Sequence, residues 1–205
     1  MKKEKKSHII IEELREHIPF TLTASLIGVV LVYLIYTLYP SFHSSFAGLF
    51  EILHPAHIFV ASIVSAGIYY RYKRNFFGAL LIGVIGSILI GSLSDVIFPW
   101  LGGVVFGLKT SFHLPVLEEP LLIFGVALIA SLIGIATRLT KLPHFLHVFL
   151  SVFASLFYLL AFSISTNLVA MILVAVVVFV AVIVPCCFHD IVFPLLFVGR
   201  RCEEC

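Results

Sequence analysis

The sequence predicts an all-α integral membrane protein, six transmembrane helices arranged as a 3+3 inverted-topology repeat, on three observations. The composition leaves too little polar surface to face water: 61% of residues are hydrophobic, 12% are charged, and mean hydropathy is +1.16. The apolar runs are long, each near the ~20 residues that cross a ~30 Å hydrocarbon layer. The polar residues between and within them recur in one order in the two halves of the chain.

The elements follow in chain order. Residues 1–17, MKKEKKSHIIIEELREH, read as a cytoplasmic amphipathic segment at the membrane surface, its lysines near anionic headgroups and Ile9, Ile10, Ile11 and Leu14 facing inward. Runs at 18–39, 52–70 and 76–98 read as the first three spans, within a first repeat covering 18–103. Runs at 117–137, 144–163 and 168–189 form the second, inverted repeat, 104–199, followed by a Cys-containing tail, 200–205. The Val- and Ile-rich stretch 172–184 would favour a strand in water. Lipid leaves only helices or closed barrels, and no run here alternates with period two. No signal-peptide cleavage pattern precedes the first span, which is expected to be retained.

The duplication can be quoted. Glu12-Glu13 stand before Ala24-Ser25-Leu26-Ile27-Gly28 as Glu118-Glu119 stand before Ala130-Ser131-Leu132-Ile133-Gly134, at one constant offset. His54 and His57 in HPAHIF are matched by His144 and His147 in HFLHVF, with Phe59/Phe149 and Ser65/Ser155 in the same register. Asp95 opens DVIFP and Asp190 opens DIVFP. Each half holds three spans, an odd number, so the second copy enters from the opposite side. A cytoplasmic N-terminus puts twelve of the thirteen Lys and Arg on that side and only Lys109 on the other, so both termini are expected in the cytoplasm.

Inversion sorts the polar residues into two clusters, each drawing on both copies. His54, His57, Asp95, His113, Glu118 and Glu119 are expected at the outer face. His8, Glu12, Glu13, His144, His147, His189 and Asp190 are expected at the inner face. His residues at i and i+3 project from one side of a helix. Imidazole with carboxylate suits a divalent transition metal such as Zn, Fe or Mn, whereas Ca and Mg prefer oxygen alone. The plainer reading is that these are interfacial side chains hydrogen-bonded to one another, and the paired recurrence with Glu-Glu and Asp favours metal over it. Ionisable residues within spans are functional candidates by default.

Weaker signals sit beside these. Glu51 makes E-x-x-H with His54 and could join the outer cluster, although the second copy has no equivalent; His17 and His43 read as ordinary interfacial residues. D-x-x-F-P can serve to end a helix, since Pro breaks the ladder and restricts its predecessor. A carboxylate at a helix C-terminus is opposed by the macrodipole, so the Asp needs a cation or donor. Cys186 and Cys187 read as small buried hydrophobes. Cys202 and Cys205, C-E-E-C in a cytoplasmic tail, make no disulfide framework. Gly78, Gly83, Gly86, Gly91, Gly125 and Gly134 fit close helix packing.

Inverted repeats are common in secondary transporters, where two halves move around a shared site. The expected function is therefore a small transporter or channel for a divalent transition metal or a metal-linked solute. The alternatives are a membrane-embedded metal-dependent hydrolase acting on a lipid or peptide, with Glu118 or Glu119 as general base on the outside or Glu12 or Glu13 on the inside, and a metal-stapled structural protein. The expected partners are the bilayer and the metal ion, with a homodimer suggested by the chain's small size. One four-Lys run does not argue for nucleic acid, and phosphate-cradling loops, nucleophile elbows and H-E-x-x-H are all missing from the sequence.

Overall fold

In the computed structural model the apolar runs fold as six long helices: α1 (Lys2–Leu38), α2 (Phe46–Lys73), α3 (Phe76–Val105), α4 (Pro120–Thr137), α5 (Lys141–Phe162) and α6 (Leu168–Cys187). The structure describes residues 2–108, 110–138, 141–162 and 168–187, and side chains from residue 18 onward except at 20, 36, 40, 42, 43, 141–145, 168, 186 and 187. No strand occurs among the described residues. α2, α3 and α4 are each long and apolar enough to cross a membrane, and the shorter stretches Thr21–Ile35, Leu146–Phe162 and Val169–Pro185 of the other three are also apolar. Three such helices associate the chain with a membrane.

Local chemistry sets the helix ends. α2 follows a 3₁₀ segment, Pro40–Ser45, and ends at Arg74 in the left-handed region (φ 44°), whose N–H donates to the Tyr70 carbonyl at 3.1 Å. Asn75 then caps α3, its side-chain oxygen accepting from Gly78 N–H at 3.2 Å. A one-turn helix, Pro115–Glu118, leads into α4, which opens with Pro120 and closes on Arg138, again left-handed (φ 55°), bonded to the Gly134 carbonyl. Both arginines put a cation where the last carbonyls favour one.

Arg138 also lies over the Tyr70 ring, 5.5 Å from its centroid, so the C-terminal ends of α2 and α4 meet and form a basic end with Arg71, Lys73 and Arg74. The N-terminal ends of the same helices carry Glu51, Glu118 and Glu119, an acidic end. α5 runs the other way and brings Tyr158 and Phe162 to the acidic end.

α2 is the central element, packed against α4 on one side, α5 on another and α3 along its length; α1 and the second half of α3 both pack on α5 and α6. The α2–α4 contact is backbone to backbone. A Cβ at Gly134 would lie 2.9 Å from Ile63 Cα and closer still to the Ile63 carbonyl oxygen, so only glycine fits. A Cβ at Gly125, by contrast, would meet nothing within 4 Å among the described residues.

Three boundaries differ from those the sequence predicts. α1 continues without a break past residue 17 and through Pro19. α2 begins at Phe46 rather than near 52, so His54 and His57 lie two turns or more inside it. α3 does not stop at the D-x-x-F-P motif but continues through Pro99 to Val105. The reason is a π segment, Leu93–Ile97, in which Phe98 N–H reaches back to the Leu93 carbonyl. Pro99 has no N–H to offer the next carbonyl in that register, Ser94, and the Ser155 hydroxyl fills the place at 2.9 Å. A second π segment, Ile82–Gly86, lies earlier in α3.

Candidate functional site

Asp95 is fully buried where α2, α3 and α5 meet. Its Oδ2 accepts from His54 Nδ1 at 2.8 Å and His57 Nδ1 at 2.7 Å, and its Oδ1 accepts from the hydroxyls of Ser94 at 2.7 Å and Ser151 at 3.0 Å. Four donors on one carboxylate compensate a buried negative charge. Each element supplies its part by local geometry. The i, i+3 spacing stacks the two histidines on one side of α2. The π segment turns Asp95 toward them, and Ser155, bonded to the Ser94 carbonyl, locks the α3–α5 contact.

The consequence lies on the far side of the rings. With Nδ1–H donated to the carboxylate, each imidazole is left with a lone pair at Nε2. Both Nε2 atoms are buried and have no hydrogen-bond partner among the described residues. A carboxylate behind the distal nitrogen and an open nitrogen in front is the arrangement that orients and enriches a histidine ligand for a metal. His147, also fully buried, stacks on His57 with centroids 4.6 Å apart and ring planes 19° apart. Three imidazoles therefore crowd one interior point, although among the described residues no three His, Cys, Asp or Glu side chains already stand in a coordinating arrangement.

A second group sits at the acidic end. His113 Nε2 lies 2.6 Å from Glu51 Oε1, and its Nδ1 lies 2.9 Å from Glu118 Oε2. Glu118 Oε1 also accepts from Leu114 N–H at 3.3 Å. Tyr158 ties the same loop to α5, donating to the Ser111 carbonyl at 3.1 Å and accepting from His113 N–H at 3.3 Å.

Of the residues expected in the outer cluster, the structure brings His54, His57 and Asp95 together and separates them from His113 and Glu118, which form their own bridge. Glu119 is exposed and stands apart from both. Glu51 joins His113, not His54 as the E-x-x-H spacing suggested. His147, expected in the other cluster from His57, stacks on it in the buried interior where α2 and α5 pack together. The side chains of His8, Glu12, Glu13 and His144, with those of His17 and His43, lie outside the described residues, as do His189, Asp190, Cys202 and Cys205 altogether. The sequence reading missed Ser94, Ser151 and Phe50. Small hydroxyls one helical turn apart, as at Ser151 and Ser155, were the signal that could have found the first two.

Phe50 links the two groups. Fully buried, it stacks on His54 at 5.4 Å and meets His113 edge-on at 5.8 Å. Comparison of the chain with protein families, with curated proteins and with solved structures finds no match in any of the three.

Proposed function

We propose that the protein is a six-span membrane transporter, a 3+3 inverted repeat with both termini cytoplasmic, that moves a divalent transition metal ion such as Zn, Fe(II) or Mn through the His54/His57 centre. The single observation that carries this reading is the pair of buried Nε2 atoms without a hydrogen-bond partner among the described residues, each on a ring whose Nδ1 meets the Asp95 carboxylate. A metal ion in transit takes those two nitrogens, and among the described residues His147, stacked on His57, is a third imidazole beside them. Borderline metals suit imidazole; Ca and Mg do not.

The repeat draws support from the packing. α2 and α5, which carry the matched H-x-x-H segments, run antiparallel and press together so that the equivalent residues His57 and His147 touch. The α2–α4 contact has its counterpart in α5–α1, and α3–α4 in α6–α1, as an axis between His57 and His147 requires. The basic residues of α2 and α4 gather at one end, consistent with that end facing the cytoplasm. The repeats then cover 18–103 and 104–199. The expected hydrolase draws no such support from its outer candidate bases, since Glu118 bonds His113 and Glu119 is exposed, and the side chains of its inner ones, Glu12 and Glu13, lie outside the described residues.

Elemental mass spectrometry of the purified protein, followed by metal uptake into proteoliposomes, tests the proposal. Wild type is expected to hold Zn, Fe or Mn near stoichiometrically and to pass it. A His54→Ala/His57→Ala variant is expected to lose most of both while staying helical by circular dichroism. Wild type with no metal above background and no uptake of any of the three ions would sink the reading.

A further inference from the structure

We propose that the Glu51–His113–Glu118 bridge is a proton-operated clasp that closes the outer entrance to the His54/His57 centre by holding Phe50 against His54. The inference rests on the transport reading above and adds its regulation.

The stoichiometry of the bridge is the starting point. Two carboxylates can both accept from one imidazole only when both ring nitrogens carry protons, so the bridge is complete in the imidazolium form alone. Removing one proton sets a ring lone pair against a carboxylate oxygen, and one of the two contacts must open. Unlike the buried centre, this group exchanges protons with solvent, since its side chains are 20% (His113), 39% (Glu51) and 51% (Glu118) exposed.

The surroundings convert that proton into position. On α2, Glu51 and Phe50 face His113; on α5, Phe162 lies 4.8 Å from its ring and the Tyr158 hydroxyl meets its backbone N–H; from the one-turn helix comes Glu118. These are the titratable groups around it among the described residues, and the two carboxylates dominate. Phe50 touches both the half-buried His113 and the buried His54. Glu51 belongs to the first copy, His113 and Glu118 to the second, so opening the clasp removes a polar link between the copies at that end. A neutral His113 therefore releases the loop, lets Phe50 withdraw and opens the way to the centre.

Trp100, the only tryptophan in the chain, reports on the loop directly, because it packs edge-on against Phe112 with centroids 5.1 Å apart. Full-length protein in lipid nanodiscs is expected to change its tryptophan emission once as the external pH is raised from acid to alkaline. His113→Gln is expected to abolish that change. Zn²⁺ uptake into proteoliposomes is expected to rise about tenfold over the same external pH range, the factor one charge-assisted hydrogen bond supplies. In His113→Gln it should be high and flat.

An emission change that persists in His113→Gln, or none in wild type, overturns the clasp. Should His113→Gln fail to fold, Glu51→Gln carries the same comparison. Equal pH profiles of uptake in variant and wild type overturn the gate while leaving transport intact. A His113-dependent emission change with no uptake at any pH overturns the transport reading, and the gating role with it, and leaves a pH-operated latch.

Discussion

The two histidine–carboxylate groups are inverses of each other. In the interior one carboxylate is shared by two imidazoles; at the acidic end one imidazole is shared by two carboxylates. The first is complete with neutral rings and leaves two nitrogens open, whereas the second needs a full imidazolium and leaves none. The first is sealed from solvent, so its geometry is dictated by packing and hydroxyl donors. The second is reached by water and is open to the proton concentration outside. Burial thus decides which group can be a binding centre and which can respond to the medium.

Three substitutions would break or sharpen this contrast. Asp95→Ala should have the largest effect, because it leaves two buried imidazole N–H groups and two hydroxyls without their acceptor. Losing one member of a buried charged network costs about 3–5 kcal/mol, read as lost thermal stability by circular dichroism. A loss under about 1 kcal/mol would show that the centre is not held as described. Ser151→Ala removes one hydrogen bond to the carboxylate and should cost about 1–2 kcal/mol, with metal content falling less than in the His54/His57 variant. Glu118→Gln should cost the least, about 0–1 kcal/mol, and the cost should vanish at high salt, since the carboxylate is half exposed. A large, salt-independent loss there would erase the distinction between the two groups.

Much of the architecture is legible in the sequence, because hydropathy and length report where helices must run in lipid. The co-location of His54, His57 and Asp95 is legible too, since spacing places the histidines on one side and the recurrence of H-x-x-H with D-x-x-F-P in the sequence marks the Asp as their companion. Depth was not legible. Apolar cores mark the hydrocarbon region but not the helix start, so the start of α2 at Phe46, ahead of its histidines, was not visible in hydropathy. The motif D-x-x-F-P misled for a similar reason. Proline ends a helix when its lost hydrogen bond has no substitute, and here Ser155, from another helix, supplies one. The His113 bridge was only half visible, as Glu51 and His113 are far apart in sequence and nothing local couples them.

The π segments of α3 carry a mechanical consequence. Each holds one residue more than an α turn would, and one residue is about 100° of rotation around the helix axis. The stretch Ile82–Gly86 lies on one side of Asp95, and Leu93–Ile97 contains it. The carboxylate faces the histidines only because those two surplus residues set its phase. Rewinding Ile82–Gly86 as α-helix would swing everything beyond it, Asp95 included, by more than a quarter turn, carrying the carboxylate out of reach of both imidazoles.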